Sequence, residues 1–438
     1  LADKQFRLKI DFTKVNIVFI EKREFMKKRV FRVALSLLLS VIVALSWVAQ
    51  PAAALTDEQK LLSEAWRIVN RTYLDDTFNH QNWAAVRQKL LSPPPKNSDA
   101  AYTAIQKMLQ SLDDPFTRFL NPEQYRSLQV STSGELTGLG LQIALNSQTG
   151  QLEVIAPIAG SPAEKAGIKP RDRIIEIEGM PTDHLTLDEA AARMRGPIGT
   201  LVTLLIERDG LGKSEFRVVR DRIALNPVVA DLRSTPQGTP IGYIRLSQFN
   251  ANASMELAHA IHKLEKQGAQ GYIFDLRNNP GGLLQSGIEA ARLWLEEGTV
   301  VYTVNRQGIQ GTFEAFGPAL THDPLVVLVN QGTASASEIL AGALQDNGRA
   351  QLVGETTFGK GLIQSLFELS DGSGLAVTIA KYETPNHHDI HKLGIKPDKI
   401  IPLEAITREQ IATEADTQYQ AAVEILGNPS VVAGMGNG

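Results

Sequence analysis

The 438-residue sequence contains no cysteine. That excludes disulfides, thiol nucleophiles and thiolate metal sites, and it leaves the compartment open. Charge of one sign is not in excess either, since 44 Lys and Arg face 48 Asp and Glu. Beyond residue 54 the acidic side leads by about ten charges and no basic stripe remains, which argues against a nucleic-acid partner. No G-x-S-x-G elbow occurs, and His80, His184, His259, His262 and His322 pair with no such serine, so a Ser-His-Asp hydrolase is disfavoured. His387, His388, Asp389 and His391 have H-x-x-x-H spacing but lack the glutamate of a zincin helix and sit in a loop bounded by Pro and Gly. That segment is expected to be a solvated loop, and no metal or cofactor is expected.

What is present begins with a leader-like segment. Met26 precedes Lys27-Lys28-Arg29, an uncharged apolar run from Val33 to Val48, and Pro51-Ala52-Ala53-Ala54. This order of charged, apolar and small residues predicts a signal peptide over 26–54, cleaved after Ala54. An uncleaved anchor with peripheral membrane association is the alternative, because the uncharged run continues to Thr56. Residues 1–25 read as an upstream extension foreign to the fold.

Residues 55–130 are expected to be helical, because Leu61, Leu62, Ala65, Trp66, Val69 and Tyr73 keep helical spacing. Asp113 to Leu120 reads as a turn with an aromatic anchor. From 131 to 222 short alternating apolar runs at 140–144, 152–155, 174–177 and 201–207 are broken by Gly and Pro turns and by helical pieces at 162–166 and 187–194. Residues 223–410 read as α/β, with strands at 241–246, 272–276, 300–304, 325–329 and 375–380 and helices at 254–266, 284–296 and 335–344. A polar helix and a loose tail are expected over 411–438.

Two motifs carry chemistry. Thr333-Ala334-Ser335-Ala336-Ser337-Glu338 supplies a hydroxyl, and Phe358-Gly359-Lys360-Gly361 supplies a lysine in a mostly apolar setting. A lysine becomes a base where burial penalises its ammonium, and lowering it from about 10.4 to about 7.5 takes roughly 4 kcal/mol. The neutral amine can then take a serine proton. Ser335-x-x-Glu338 is equally a capping box opening a helix, and the two readings are compatible. Asp275-Leu276-Arg277-Asn278-Asn279-Pro280-Gly281-Gly282 follows a strand and precedes a helix, so its glycines can aim N–H groups into an oxyanion site or simply make a turn.

The middle segment resembles a PDZ domain through Gly138-Leu139-Gly140-Leu141, Ser161-Pro162-Ala163 and Asp172-Arg173-Ile174. The resemblance implies that Gly138, Leu139, Gly140 and Leu141 bind a peptide carboxyl terminus, with strand addition beside them. From about Leu61 to Leu403 the chain resembles the carboxyl-terminal processing, or tail-specific, proteases. The matching motifs are the PDZ core, 275–282, 335–344, 354–364 and Gly394-Ile395-Lys396-Pro397-Asp398. The segment Asp114 to Leu120 is most similar to the cyanobacterial and chloroplast branch.

This resemblance implies a multidomain α/β plus α+β fold, in which a helical N-terminal region and a PDZ-like domain precede an α/β Ser-Lys protease domain. It implies Ser335 as nucleophile, in preference to Ser337, and Lys360 as general base. It implies that Gln364 orients the amine, that Gly281 and Ala336 hold the oxyanion, and that Glu338 and Asp346 are acidic supports. Pro280 stands where some related sequences carry glycine and should stiffen the turn. The implied activity is an exported serine endopeptidase of the thylakoid lumen or periplasm. Its implied substrate is the C-terminal extension of the photosystem II D1 precursor. General periplasmic tail-specific turnover, or a non-catalytic PDZ scaffold, are the alternatives.

Overall fold

The computed structural model describes residues 35–36, 55–146, 149–402 and 406–428. The expected upstream extension, the cleavage site after Ala54 and the terminal tail lie outside these residues.

The region expected to be helical contains α1 (Asp57–Thr72), α2 (Trp83–Leu91), α3 (Ser98–Gln110) and α4 (Pro122–Ser133), the last running slightly past it, with strand β1 (Arg118–Leu120) before α4. Asn82, Asn97 and Asn121 cap the last three by accepting the backbone N–H of the third residue of each helix. The strand is a departure from the expected turn. It pairs with the long strand near the end of the chain, Arg118 opposite Ala376. Leu62, Ala65 and Val69 of α1 and Ile105 and Met108 of α3 share one core with Leu369, Leu375 and Val377. The helical region therefore shares its core with the later strands. Its apolar stripe is buried against residues some 300 positions later, a partnership that no local pattern encodes.

The next body contains β2 (Glu135–Gly138), β3 (Leu141–Leu145), β4 (Leu152–Pro157), α5 (Pro162–Lys165), β5 (Arg173–Ile177), β6 (Met180–Pro181), α6 (Leu187–Met194), β7 (Leu201–Arg208), β8 (Gly212–Val219) and β9 (Asp221–Ala224). Its sheet runs β3-β4-β5-β7-β8, and a ribbon of β2 with β9 closes its base. Val202, Leu204 and Ile206 alternate inward as the period-2 pattern predicts, whereas Ile174 and Ile177 both face the core because a bulge shifts the register between them. Asp172 is buried and accepts from Arg208 at 2.6 and 2.7 Å, which holds its carboxyl below the usual range despite the burial that pushes it up.

The remaining chain supplies β10 (Val228–Ser234), β11 (Pro240–Leu246), α7 (Ala253–Lys266), β12 (Tyr272–Asp275), α8 (Leu284–Arg292), β13 (Thr299–Asn305), β14 (Gly308–Glu314), β15 (Leu325–Val329), α9 (Ala336–Asp346), β16 (Gln351–Gly354), β17 (Leu362–Glu368), β18 (Gly374–Glu383), β19 (Lys399–Ile400) and α10 (Thr417–Leu426). These make two sheets. One has the order β10-β11-β12-β15-β16-β19 and is parallel from β11 to β19. The other is antiparallel and joins β1, β18, β13 and β14, with β17 beside β18. Sequence periodicity finds the strands of the parallel sheet that are apolar throughout, such as Leu325–Val329, because both faces are covered. It misses β14 and β17, whose exposed faces read as loop.

The C-terminal helix is a correction. A polar helix is expected there, yet α10 buries Tyr419, Ala422, Val423 and Leu426 against Ile241, Tyr243 and Ile273 on the reverse face of the parallel sheet. Its N-cap Asp416 and the strand residue Asp275, both fully buried, clamp the Arg277 guanidinium at 2.7 Å each. The pair of carboxylates holds the arginine protonated despite burial, and Arg277 in turn holds Asp416 below the usual carboxylate range.

Candidate active site

Two loops leave the carboxyl ends of the adjacent parallel strands β12 and β15, the usual position for a site in such a sheet. They are stitched together. Asn278 N–H donates to Asn330 Oδ1 at 2.9 Å, and Asn330 Nδ2 returns a bond to Asn278 Oδ1 at 3.0 Å. Thr333 Oγ1 donates to the Leu276 carbonyl at 2.9 Å, and Ala334 N–H to the Asn279 carbonyl at 3.0 Å.

Ser335 stands at the start of α9 with φ 59° and ψ −120°. A serine reaches that region only under strain of about 1–3 kcal/mol, held by its surroundings. Here the surroundings are Glu338 and the glycine turn. The Ser335 N–H donates to Glu338 Oε2 at 2.8 Å, the carboxylate half of the expected capping box. Gly281, at φ 91°, lies so close that a Cβ there would meet the Ala334 carbonyl at 2.6 Å and Ser335 Cβ at 2.8 Å. Only glycine fits, for both reasons. Ser335 remains half-buried and reachable.

Glu338 is fully buried and joins the two chemical motifs. Its Oε1 accepts from Thr357 Oγ1 at 2.6 Å and Gly359 N–H at 2.7 Å, and its Oε2 accepts from the Lys360 N–H at 2.9 Å as well as from Ser335. Four donors replace the water this carboxylate gives up. The side chain thus positions the lysine loop by its backbone, and no hydrogen bond from it to the Lys360 amine occurs among the described residues.

The Lys360 amine lies 5.1 Å from the centroid of the Phe116 ring. Burial lowers its basicity first, the nearby Arg118 charge lowers it further, and Glu338 and Asp114 oppose the shift. Tyr382, which sequence reading did not single out, is fully buried beside the pair. Its hydroxyl donates to the Lys360 carbonyl and contacts the Ser335 hydroxyl, and burial pushes its own pKa well above 10. A buried tyrosine needs such a partner, but its sequence gives no sign of which.

Of the other expected site residues, Ala336 holds N1 of α9 with its N–H beside Gly281. The Gly281 N–H donates to Asn279 Oδ1 at 2.9 Å, so one expected oxyanion donor is engaged within its own turn. Gln364 does not reach the lysine here; its amide donates to Thr378 Oγ1 at 3.4 Å. Asp346 sits at the far end of α9, roughly 16 Å along the axis from Ser335. It accepts from the Asn386 N–H at 2.9 Å and secures the loop after β18, not the site. Ser337 is fully buried and donates to the Asn279 carbonyl at 3.0 Å, which makes it a tie between α9 and the glycine turn. Ser337→Ala is expected to lower stability by about 1 kcal/mol while turnover per folded molecule stays near wild type, as thermal melting with active-site titration will show.

The histidine segment is the solvated loop expected at His387, His388 and Asp389, which are exposed, but its continuation over 391–394 packs on the lysine loop. A Cβ on Gly361 would meet the His391 N at 2.6 Å, and one on Gly359 would meet the Gly394 and Leu393 nitrogens at about 3 Å, so the segment walls the lysine loop. Its rings diverge. His387 stacks on Tyr302 at 4.2 Å, and His391 meets Phe116 edge-on at 6.5 Å.

In the middle body, β3 is the terminal strand of its sheet, and its outer edge pairs with no strand among the described residues, with α6 beside it. Leu139 and Gly140 lead into that strand. Their carbonyls accept from Ala163 and Ile158, and a Cβ on Gly140 (φ 79°) would meet Ser161 Cβ at 2.3 Å. Close packing against the start of α5 is what requires glycine there. The edge can accept an extended peptide.

Residues 240–401 match the model of peptidase family S41, and residues 153–208 that of a PDZ domain. The chain is 61% identical over 400 residues to a carboxyl-terminal-processing protease of Synechocystis sp. (strain ATCC 27184 / PCC 6803 / Kazusa), covering 91% of this chain and 93% of the relative. It is 57% identical over 409 residues to a carboxyl-terminal-processing protease of Picosynechococcus sp. (strain ATCC 27264 / PCC 7002 / PR-6), covering 93% and 99%. The solved structure of a photosystem II D1 C-terminal processing protease superposes with a TM-score of 0.54 at 38% identity, over 86% of this chain and 99% of that one.

Proposed function

Because this chain belongs to the carboxyl-terminal-processing proteases of peptidase family S41, serine-type peptidases that act on proteins, we propose that its chemistry is carried by Ser335 and Lys360. The observation that supports these residues is the Glu338 carboxylate, which gathers the backbones of Ser335, Gly359 and Lys360 around one buried group. The neutral Lys360 amine takes the proton of Ser335 as Oγ attacks the scissile carbonyl. The resulting oxyanion is held by the Ala336 N–H and by the Gly281 N–H, which trades its bond to Asn279 for the negative oxygen. The ammonium of Lys360 returns its proton to the leaving amine. The neutral amine then deprotonates the water that hydrolyses the ester, regenerating Ser335. Gln364 reaches the amine in the reacting state by leaving Thr378, and no metal or cofactor takes part.

The substrate's carboxyl terminus enters along the open edge of β3, with Gly138, Leu139, Gly140 and Leu141 as its recognition loop. The domain limits we propose are 55–130 helical, 131–222 PDZ-like and 223–410 catalytic, with the helix of the 411–438 segment packed on the catalytic sheet. The structure named above is of a D1-processing protease, and with this degree of identity we assign this chain the same task, trimming the D1 precursor on the lumenal or periplasmic side. Among the described residues no helix is long and apolar enough to cross a membrane. Mass spectrometry of a carboxyl-extended D1 peptide before and after incubation tests the assignment. A single cut that frees the extension supports it. Equal cleavage of unrelated apolar tails points instead to general tail-specific turnover, and no cleavage at all overturns both.

A further inference from the structure

The Phe116 ring belongs to the N-terminal region, yet it covers the amine of a residue 244 positions later. Its place is fixed with care. Asp114 Oδ1 accepts from the Phe116 N–H at 2.9 Å, and Asp114 Oδ2 accepts from Thr117 Oγ1 at 2.6 Å. Thr117, buried, then accepts from the Thr378 N–H at 3.0 Å, which clips the turn to β18. Thr378 is also the residue that engages Gln364. The turn that carries the ring and the side chain expected to orient the base are therefore tied to one strand position.

An aromatic face attracts an ammonium and has no comparable attraction for a neutral amine. At 5.1 Å from the centroid, Lys360 is within the range of that attraction, and the amine makes no hydrogen bond to Ser335 among the described residues. The protonated lysine is favoured over the ring, while the neutral lysine is the form that can bond the serine hydroxyl. We propose that Phe116 is a positioning residue that parks the Lys360 ammonium in a resting place away from Ser335, so that loss of the proton and movement of the amine to the serine are one event. The helical region then takes part in controlling the dyad.

The proposal rests on Lys360 being the base. The other titratable or charged groups around the amine and ring are Asp114 and Arg118 from the turn and β1, Glu338 from α9, Tyr382 from β18, and His391 and Lys392 from the loop after β18. Tyr73, Asp75 and Asp113 line the same cleft, which has a volume of about 410 Å³. None of these changes in a substitution at 116.

The test is the pH dependence of peptide cleavage by the full chain, with melting temperatures as a folding control. Phe116→Leu keeps an apolar wall but removes the π face. It is expected to move the acidic limb of the profile to lower pH by about half to one unit, because the protonated form loses its partner. Phe116→Tyr keeps the face and is expected to leave the limb in place. If the Leu variant titrates like wild type, or its limb moves to higher pH as simple admission of water would cause, parking by the ring is overturned. Lys360→Met separates the two levels. An inactive Met variant combined with an unmoved Leu limb refutes the parking alone, whereas an active Met variant refutes the base and the parking with it.

Discussion

Replacing Ser335 by alanine is expected to lower the cleavage rate by roughly four to six orders of magnitude, the range found when a hydrolase loses its nucleophile. The fold should survive. Three hydrogen bonds that set the strained turn use the Ser335 backbone: its N–H donates to Glu338 Oε2, and its carbonyl accepts from the Glu338 and Ile339 N–H groups at 2.8 and 3.0 Å. Alanine retains all three. The measurement is labelling with an acyl-trapping probe followed by peptide mapping, alongside thermal melting. Label found on residue 335 of the wild type and absent from Ser335→Ala is the expected result. Label that persists in the variant would remove Ser335 from the mechanism, and Ser337 would not inherit the role, because its hydroxyl is sealed from solvent and bonded to Asn279.

The second large effect concerns Lys360. Lys360→Arg should be as inactive as the serine variant, since a guanidinium stays protonated across the accessible pH range and is bulkier than the site. Lys360→Met should be inactive and more stable. The sign follows from proton binding. Burial and the Arg118 charge depress the folded-state basicity of the amine below its unfolded value of about 10.4. Between the two values the unfolded chain binds the extra proton, so stability rises with pH across that window. Below the folded value the cost is fully present. Methionine removes it, and the gain in melting temperature should be largest at low pH and shrink toward pH 10. Activity of wild type should rise with pH along a single limb below that of free lysine. A Met variant that melts lower than wild type at every pH would contradict a penalised amine.

Much of this architecture is legible in sequence. The all-apolar run Leu325–Val329 and the alternation through Leu201–Arg208 announce a doubly covered strand and a half-exposed one, because the side-chain period reports which faces meet water. Asn121-Pro122-Glu123-Gln124 has the spacing of a capping box with proline at the first helical position, and both bonds of the box form at the start of α4. The glycine turn at 281–282 and the Ser335-to-Glu338 spacing likewise carry their own geometry, since positive φ, close approach and an N3 carboxylate are local requirements.

What the sequence determined by itself is therefore the set of reagents and their local frames: an alcohol at the head of a helix, a lysine between glycines, a glycine pair after a buried strand. The tertiary structure alone decided how they are used. It turned Glu338 from a helix cap into the carboxylate that joins two loops, assigned Ser337 to a buried tie, sent Asp346 to the far end of its helix, and brought Phe116 and Tyr382 to the lysine. The physical reason is range. Backbone conformation and amphipathic period act over a few residues, whereas burial, which sets the basicity of Lys360, depends on strands and a turn drawn from segments more than two hundred residues apart.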